Sequence, residues 1–70
     1  MKVEVVYTNN DVKIFNDVVT YFIDDDDSKF SVRLNDGSEF GHTLFVCDSI
    51  FVDDFCKWTS AHGIIPYDDC

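Results

Sequence analysis

Positive charge is scarce in this chain. Five Lys and Arg stand against 14 Asp and Glu, 12 of the acids being Asp, and the 70 residues carry a formal charge of -9. Nucleic acid and anionic lipid would both repel such a surface, which argues against direct binding to either. Proline occurs once and glycine three times, with no Pro/Gly/Ser-rich stretch and no repeat, so the expectation is one domain, 1–70. No apolar run approaches the roughly 20 residues of a membrane span, and Met1-Lys2-Val3-Glu4 begins no signal-peptide core. The expected location is therefore the cytoplasm. Cysteine is equally sparing: Cys47, Cys56 and Cys70 form no CxxC pair and are odd in number, unlike the framework of a small secreted domain. Cys47 and Cys56 sit among apolar neighbours and are expected in the core, while Cys70 is terminal.

Apolar residues are plentiful. They make up 46% of the chain, with seven Phe, three Tyr and one Trp, far more than an acidic disordered tail holds. The chain is expected to fold, around a thin core, since a domain of this size buries only about 60% of its unfolded surface.

Periodicity predicts strands over most of the length. Val3, Val5 and Tyr7 alternate within a strand from Lys2 to Thr8, Asn9-Asn10-Asp11 turns, and Val12 to Phe15 pairs back. Asn16-Asp17 breaks the chain before Val18-Val19-Thr20-Tyr21-Phe22-Ile23, too short for a helix and rich in strand formers. Asp24 to Ser28 reads as a polar, self-repelling hinge, followed by a half-buried strand carrying Phe30, Val32 and Leu34. Asn35-Asp36-Gly37-Ser38 has the Asp-Gly signal of a tight hairpin. The fifth strand is expected from Glu39 to Cys47, with Phe40, Leu44 and Val46 on one face and a bulge or bend at Gly41. Beyond Asp48, Phe51, Phe55, Trp58 and His62 fall at i, i+4, i+7 and i+11, which predicts a helix capped by Asp48 or Ser49 and stopped by Gly63 and Pro66. The predicted fold is α+β: an antiparallel meander of about five strands with one C-terminal helix packed on a face.

Catalytic and metal constellations are weak. Counted from Asp24, the sixth and twelfth positions of a calcium loop hold Lys29 and Asn35 rather than Gly and Glu. Cys47, Cys56, His62 and Cys70 are separated by nine, six and eight residues, which fits no common zinc spacing. On the predicted helix Asp53 and Asp54 would point about 100° apart, and Cys56 and His62 would share no face. His42 has the parity of Phe40 and Leu44 and is expected to be hydrogen-bonded at the core edge. No catalytic residue, metal ligand or cofactor is assigned, and the expectation is a protein that is not an enzyme.

What remains is the distribution of acid. The candidate partner-binding residues are Asp24, Asp25, Asp26, Asp27, Asp36, Glu39, Asp53, Asp54, Asp68 and Asp69, placed at turns and element ends. Side chains on one strand face repeat at about 6.8 Å, and strands at about 4.8 Å. Those spacings are of the same order as the charge spacing along duplex DNA. Short Asp side chains hold their charge close to the backbone, so less entropy is lost on docking. In size, acidity and β-rich character the whole chain resembles the small acidic inhibitors of bacteriophages and mobile elements: the DNA-mimic group of uracil-DNA glycosylase inhibitors, anti-restriction proteins and many anti-CRISPR proteins. The resemblance includes no sequence motif. It implies an inhibitor whose carboxylates stand in for phosphates in the basic groove of a nucleic-acid-binding protein or complex. A structural or adaptor module is the alternative, homodimeric through apolar strand residues Val18, Thr20 and Phe22 beside Phe15 and Phe45.

Overall fold

The computed structural model describes residues 1–65 and contains two antiparallel sheets around one core. The strands are β1 (Val3–Tyr7), β2 (Val12–Phe15), β3 (Val18–Asp24), β4 (Lys29–Leu34), β5 (Glu39–Thr43), β6 (Cys47–Val52), β7 (Phe55–Thr59) and β8 (Gly63–Ile64). One sheet has the order β2-β1-β6-β7-β8 and the other β3-β4-β5. Alternation decides which side chains meet. Val3 and Val5 of β1 lie opposite Val52 and Ile50 of β6, and all four face Phe30 and Val32 of β4 in the core. Phe15, Val18, Leu44, Cys47 and Trp58 complete it, which places Cys47 in the interior as expected; Cys56 is buried too.

The predicted α+β class is overturned, because the fold is all-β and its helical content among the described residues is a single 3-10 turn, Leu44–Val46. Where a helix was expected, Cys47–Val52 and Phe55–Thr59 form a hairpin. Its two-residue turn is Asp53-Asp54, with φ of 50° and 71°. Positive φ at both central residues suits the right-handed strand twist, and Asp tolerates it better than most side chains. Ile50, Val52, Phe55 and Trp58 are strand formers. The register shifts between Ile50 and Phe51, leaving Lys57 as an extra residue in β7. The stripe of Phe51, Phe55, Trp58 and His62 therefore never forms: Trp58 is buried, Phe55 and His62 exposed. Gly63 stops no helix but opens β8, and Pro66 lies outside the described residues.

Two smaller expectations also change. The fifth strand ends at Thr43, whose hydroxyl accepts the Phe45 N–H at 3.3 Å and starts the 3-10 turn. Leu44 is consequently buried while Phe40 and Val46 are exposed, so the three share no face. Gly41 sits in unbroken register opposite Ser31, without a bulge. In β3 the register shift lies between Val18 and Thr20. It turns Val18 into the core at 4% exposure and leaves Val19 outside.

Candidate functional site

Strand direction alternates, so the connections gather at two ends of the molecule. At the first end the β1–β2, β3–β4, β5–β6 and β7–β8 connections meet around a groove of about 290 Å³. Thr8, Asp25, Ser28, Phe45 and Ser60 line its rim, and Leu44, Cys47 and Trp58 its floor. Backbone bonds tie these connections together, from Thr8 N–H to Val46 C=O, Leu44 N–H to Ser28 C=O and Ser60 N–H to Asp48 C=O. At the second end Val18 N–H donates to Met1 C=O, Asn35 N–H to Asp17 C=O and Asp53 N–H to Lys2 C=O. The N-terminus and the β2–β3, β4–β5 and β6–β7 turns are joined in this way.

The predicted partner-binding acids are therefore divided. Asp24, Asp25, Asp26 and Asp27 occupy the first end, where Asp11 and Asp48 join them. Asp36, Glu39, Asp53 and Asp54 occupy the second, with Asp17. Asp68 and Asp69 lie outside the described residues.

The second end supplies its own counter-charge. Lys2 Nζ donates to Asp54 Oδ1 at 2.8 Å, and Arg33 donates through Nε and Nη2 to Glu39 Oε1 at 2.9 and 2.6 Å. Asp54 raises the Lys2 ammonium above its ordinary value, first through that hydrogen bond and then through its charge. Asp53 Oδ1 accepts the Lys2 backbone N–H, and Asp36 Oδ1 accepts that of Ser38, each at 2.9 Å. The Ser38 amide holds the Asp36 carboxyl below the usual carboxylate range.

At the first end the carboxylates are oriented by neutral donors instead. Asp24 Oδ1 accepts the N–H groups of Asp26 and Asp27, both at 3.1 Å, which closes the β3–β4 connection into a tight turn with Ser28 at φ 55°. The self-repelling hinge expected here is thus an ordered hairpin. Asp25 Oδ1 accepts the Trp58 indole N–H at 3.1 Å. On its other side Asp25 Oδ2 rests over Gly63: a Cβ at that position would lie 2.8 Å from the oxygen, and Gly63 has φ +74°. Among the described residues no Lys or Arg forms an ion pair with Asp24, Asp25, Asp26 or Asp27. Trp58 and Gly63 belong to this arrangement although sequence reasoning placed the first on a helix and the second at its end. Only the glycine's tolerance of positive φ was visible in advance.

Comparison of the chain with protein-family models, with curated proteins and with solved structures finds no match. Among the described residues no group of three or more His, Cys, Asp or Glu side chains is placed to hold a metal ion, the Asp24 to Asp27 turn included. Among the described residues no helix is long and apolar enough to cross a membrane. His42 is partly buried with Nε2 3.4 Å from Tyr7 Oη, and the two rings meet edge-on at 5.8 Å. Burial pushes the Tyr7 phenol up, with a smaller contribution from charge on Cys47, and burial likewise pushes the Cys47 thiol up.

The apolar surface named for self-association changes composition. Val18 and Phe15 are core residues at 4% and 6% exposure, and Phe45 belongs to the first end. Val19 and Phe22, at 54% and 60%, stand exposed on β3, an edge strand of its sheet.

Proposed function

We propose that this chain is a non-enzymatic acidic binding protein that inhibits a nucleic-acid-binding enzyme, a host defence or repair nuclease complex, by occupying its basic groove as a nucleic-acid mimic. The observation that carries this reading is the β3–β4 turn. Four consecutive carboxylates are presented there on a backbone held by Asp24, with the Asp25 carboxylate bonded to Trp58, and among the described residues no Lys or Arg forms an ion pair with them. A preordered anion loses little entropy on docking, and an anionic patch steers encounter with a basic surface. Asp24 to Asp27 are the principal contacts in this proposal, with Asp11 and Asp48 beside them. Asp36, Glu39, Asp53 and Asp54 form a weaker second patch, because Lys2 and Arg33 offset part of their charge. The protein acts without a cofactor, in the cytosol of the cell that contains its target.

The test is capture of the target from host lysate at low salt, elution by a salt step, and competition of the complex with duplex DNA and with RNA. The proposal expects affinity to fall steeply with salt and nucleic acid to displace the chain, because both ligands use the same Lys and Arg. A complex indifferent to salt that binds nucleic acid at the same time would contradict it.

A second reading, a homodimeric structural or adaptor module, is favoured by Val19 and Phe22 on the β3 edge. Edge strands that carry exposed apolar residues invite pairing with another chain. Sedimentation at high micromolar concentration tests it: a strictly monomeric species removes this reading.

A further inference from the structure

The groove at the first end combines three features that an acidic turn alone does not provide. Its floor is apolar, made by the buried side chains of Leu44, Cys47 and Trp58. Its rim carries the Phe45 ring, 81% exposed and the most exposed large hydrophobic side chain among the described residues. Asp25, also on the rim, accepts the Trp58 indole N–H at 3.1 Å and lies beside Gly63, where a Cβ would crowd its carboxylate. At about 290 Å³ the space is at the lower limit of small-molecule pockets, and fits a single long side chain.

We infer that this groove receives an arginine side chain of the basic partner, its guanidinium between the Phe45 ring and the Asp25 carboxylate. This rests on the binding reading proposed above and names its anchor point. Charge complementarity selects the occupant: the rim and the adjoining turn are anionic, so an apolar or acidic side chain would gain nothing from Asp25. Geometry selects arginine over lysine. A planar guanidinium stacks on an aromatic face while its N–H groups reach a carboxylate and neighbouring hydroxyls, whereas an ammonium is a point charge with stronger hydration. Ser28 and Ser60 line the same rim, the Ser60 hydroxyl donating to Asp48 Oδ1 at 3.4 Å, and the methylene stem lies over Leu44 and Trp58. The Trp58 bond occupies one acceptor site of Asp25, and a carboxylate has about four.

Trp58 is the chain's only tryptophan, so its emission reports on the groove directly. The probe is an eight-residue arginine-rich peptide lacking aromatic residues, compared with the same peptide carrying lysine at every arginine, both titrated at low salt. The inference expects the arginine peptide to shift Trp58 emission and to bind several-fold more tightly than the lysine peptide. Phe45→Ala should weaken the arginine peptide about two- to five-fold, the range of a lost cation–π contact, and narrow its advantage over lysine. Asp25→Asn, which keeps an acceptor for the indole, should also weaken it, whereas Asp36→Asn at the opposite end should not. Phe45 is exposed, so its replacement leaves the core intact. Binding of both peptides with equal affinity, unaffected by Phe45→Ala or Asp25→Asn, overturns the arginine groove and leaves the acidic-surface reading standing. Failure of both peptides to bind at low salt overturns both.

Discussion

Trp58 and Asp25, 33 residues apart, are joined by a 3.1 Å hydrogen bond from the indole Nε1–H to the carboxylate Oδ1, linking β7 of the five-stranded sheet to the β3–β4 turn of the other. The bond fixes where the acidic turn stands relative to the groove. Replacing Asp25 with Ala leaves a part-buried indole donor unsatisfied and should cost about 1 kcal/mol, while Asn, which can still accept, should be nearly neutral. Urea unfolding gives the stabilities. Amide exchange should quicken at Asp26 to Ser28 in the Ala variant alone; unchanged exchange there would mean that the bond does not order the turn.

Gly63 acts on the same carboxylate from the other side. A methyl at this position lies 2.8 Å from Asp25 Oδ2 and burdens a backbone at φ +74°, so Gly63→Ala should cost about 1–2 kcal/mol. Part of that cost is contact with Asp25 and should vanish when Asp25 is Ala. A double-mutant cycle measures it, and strictly additive costs would show that the two residues do not meet.

The Asp53-Asp54 turn makes a prediction whose sign depends on the fold. With φ of 71° at position 54, Asp54→Gly should be more stable than Asp54→Ala by about 1 kcal/mol. Both variants lose the exposed Lys2 contact equally, so the comparison isolates the backbone. A helix would reverse the order, since Gly there is about 1 kcal/mol worse than Ala. Thermal or urea midpoints of the pair suffice.

The same turn shows how far the sequence could be read. β1 and β4 were legible by their period of two, and β2 and β3 as short runs of strand formers bounded by turns that contain Asn or Asp. Asn35 to Ser38 behaves as its Asp-Gly pair required, with Gly37 at φ 90°. The chain from Asp48 onward was not legible, because Phe51, Phe55 and Trp58 satisfy a helical period by coincidence while Ile50 and Val52, then Cys56 and Trp58, carry the period of two that the burial follows. An Asp-Asp pair is a weaker hairpin signal than Asp-Gly, and the extra residue in β7 blurred the alternation further. At the site, the acidic turn was visible but its partners were not. Contacts between Asp25, Trp58 and Gly63 depend on how two sheets pack, which local pattern does not encode. The division of the acids between two ends follows from strand direction once all eight strands are known.

Alkaline pH should destabilise the fold through groups whose folded values are raised. Burial lifts the Cys47 thiol above its ordinary 9.0 and the Tyr7 phenol above 10.0, so the unfolded chain releases these protons first. Stability should hold below about pH 9 and fall as pH climbs from there toward the folded values. Lys2, raised by Asp54, adds in the same direction: its contribution is complete below 10.5 and is lost as pH passes through the folded value. Urea midpoints from pH 7.5 to 10.5 measure the decline, and Cys47→Ala should delay its onset. A rise in stability between pH 9 and 10 would contradict the assignment.

The most direct test of the central claim, that the carboxylates of the β3–β4 turn are the partner-facing ones, compares charge reversal at the two ends by calorimetry on the captured target. The double variant Asp26→Lys with Asp27→Lys should lose about tenfold or more in affinity and flatten the salt dependence. Asp36→Lys with Glu39→Lys should change affinity by less than about threefold. Equal losses at both ends, or a larger loss at Asp36 and Glu39, would contradict it.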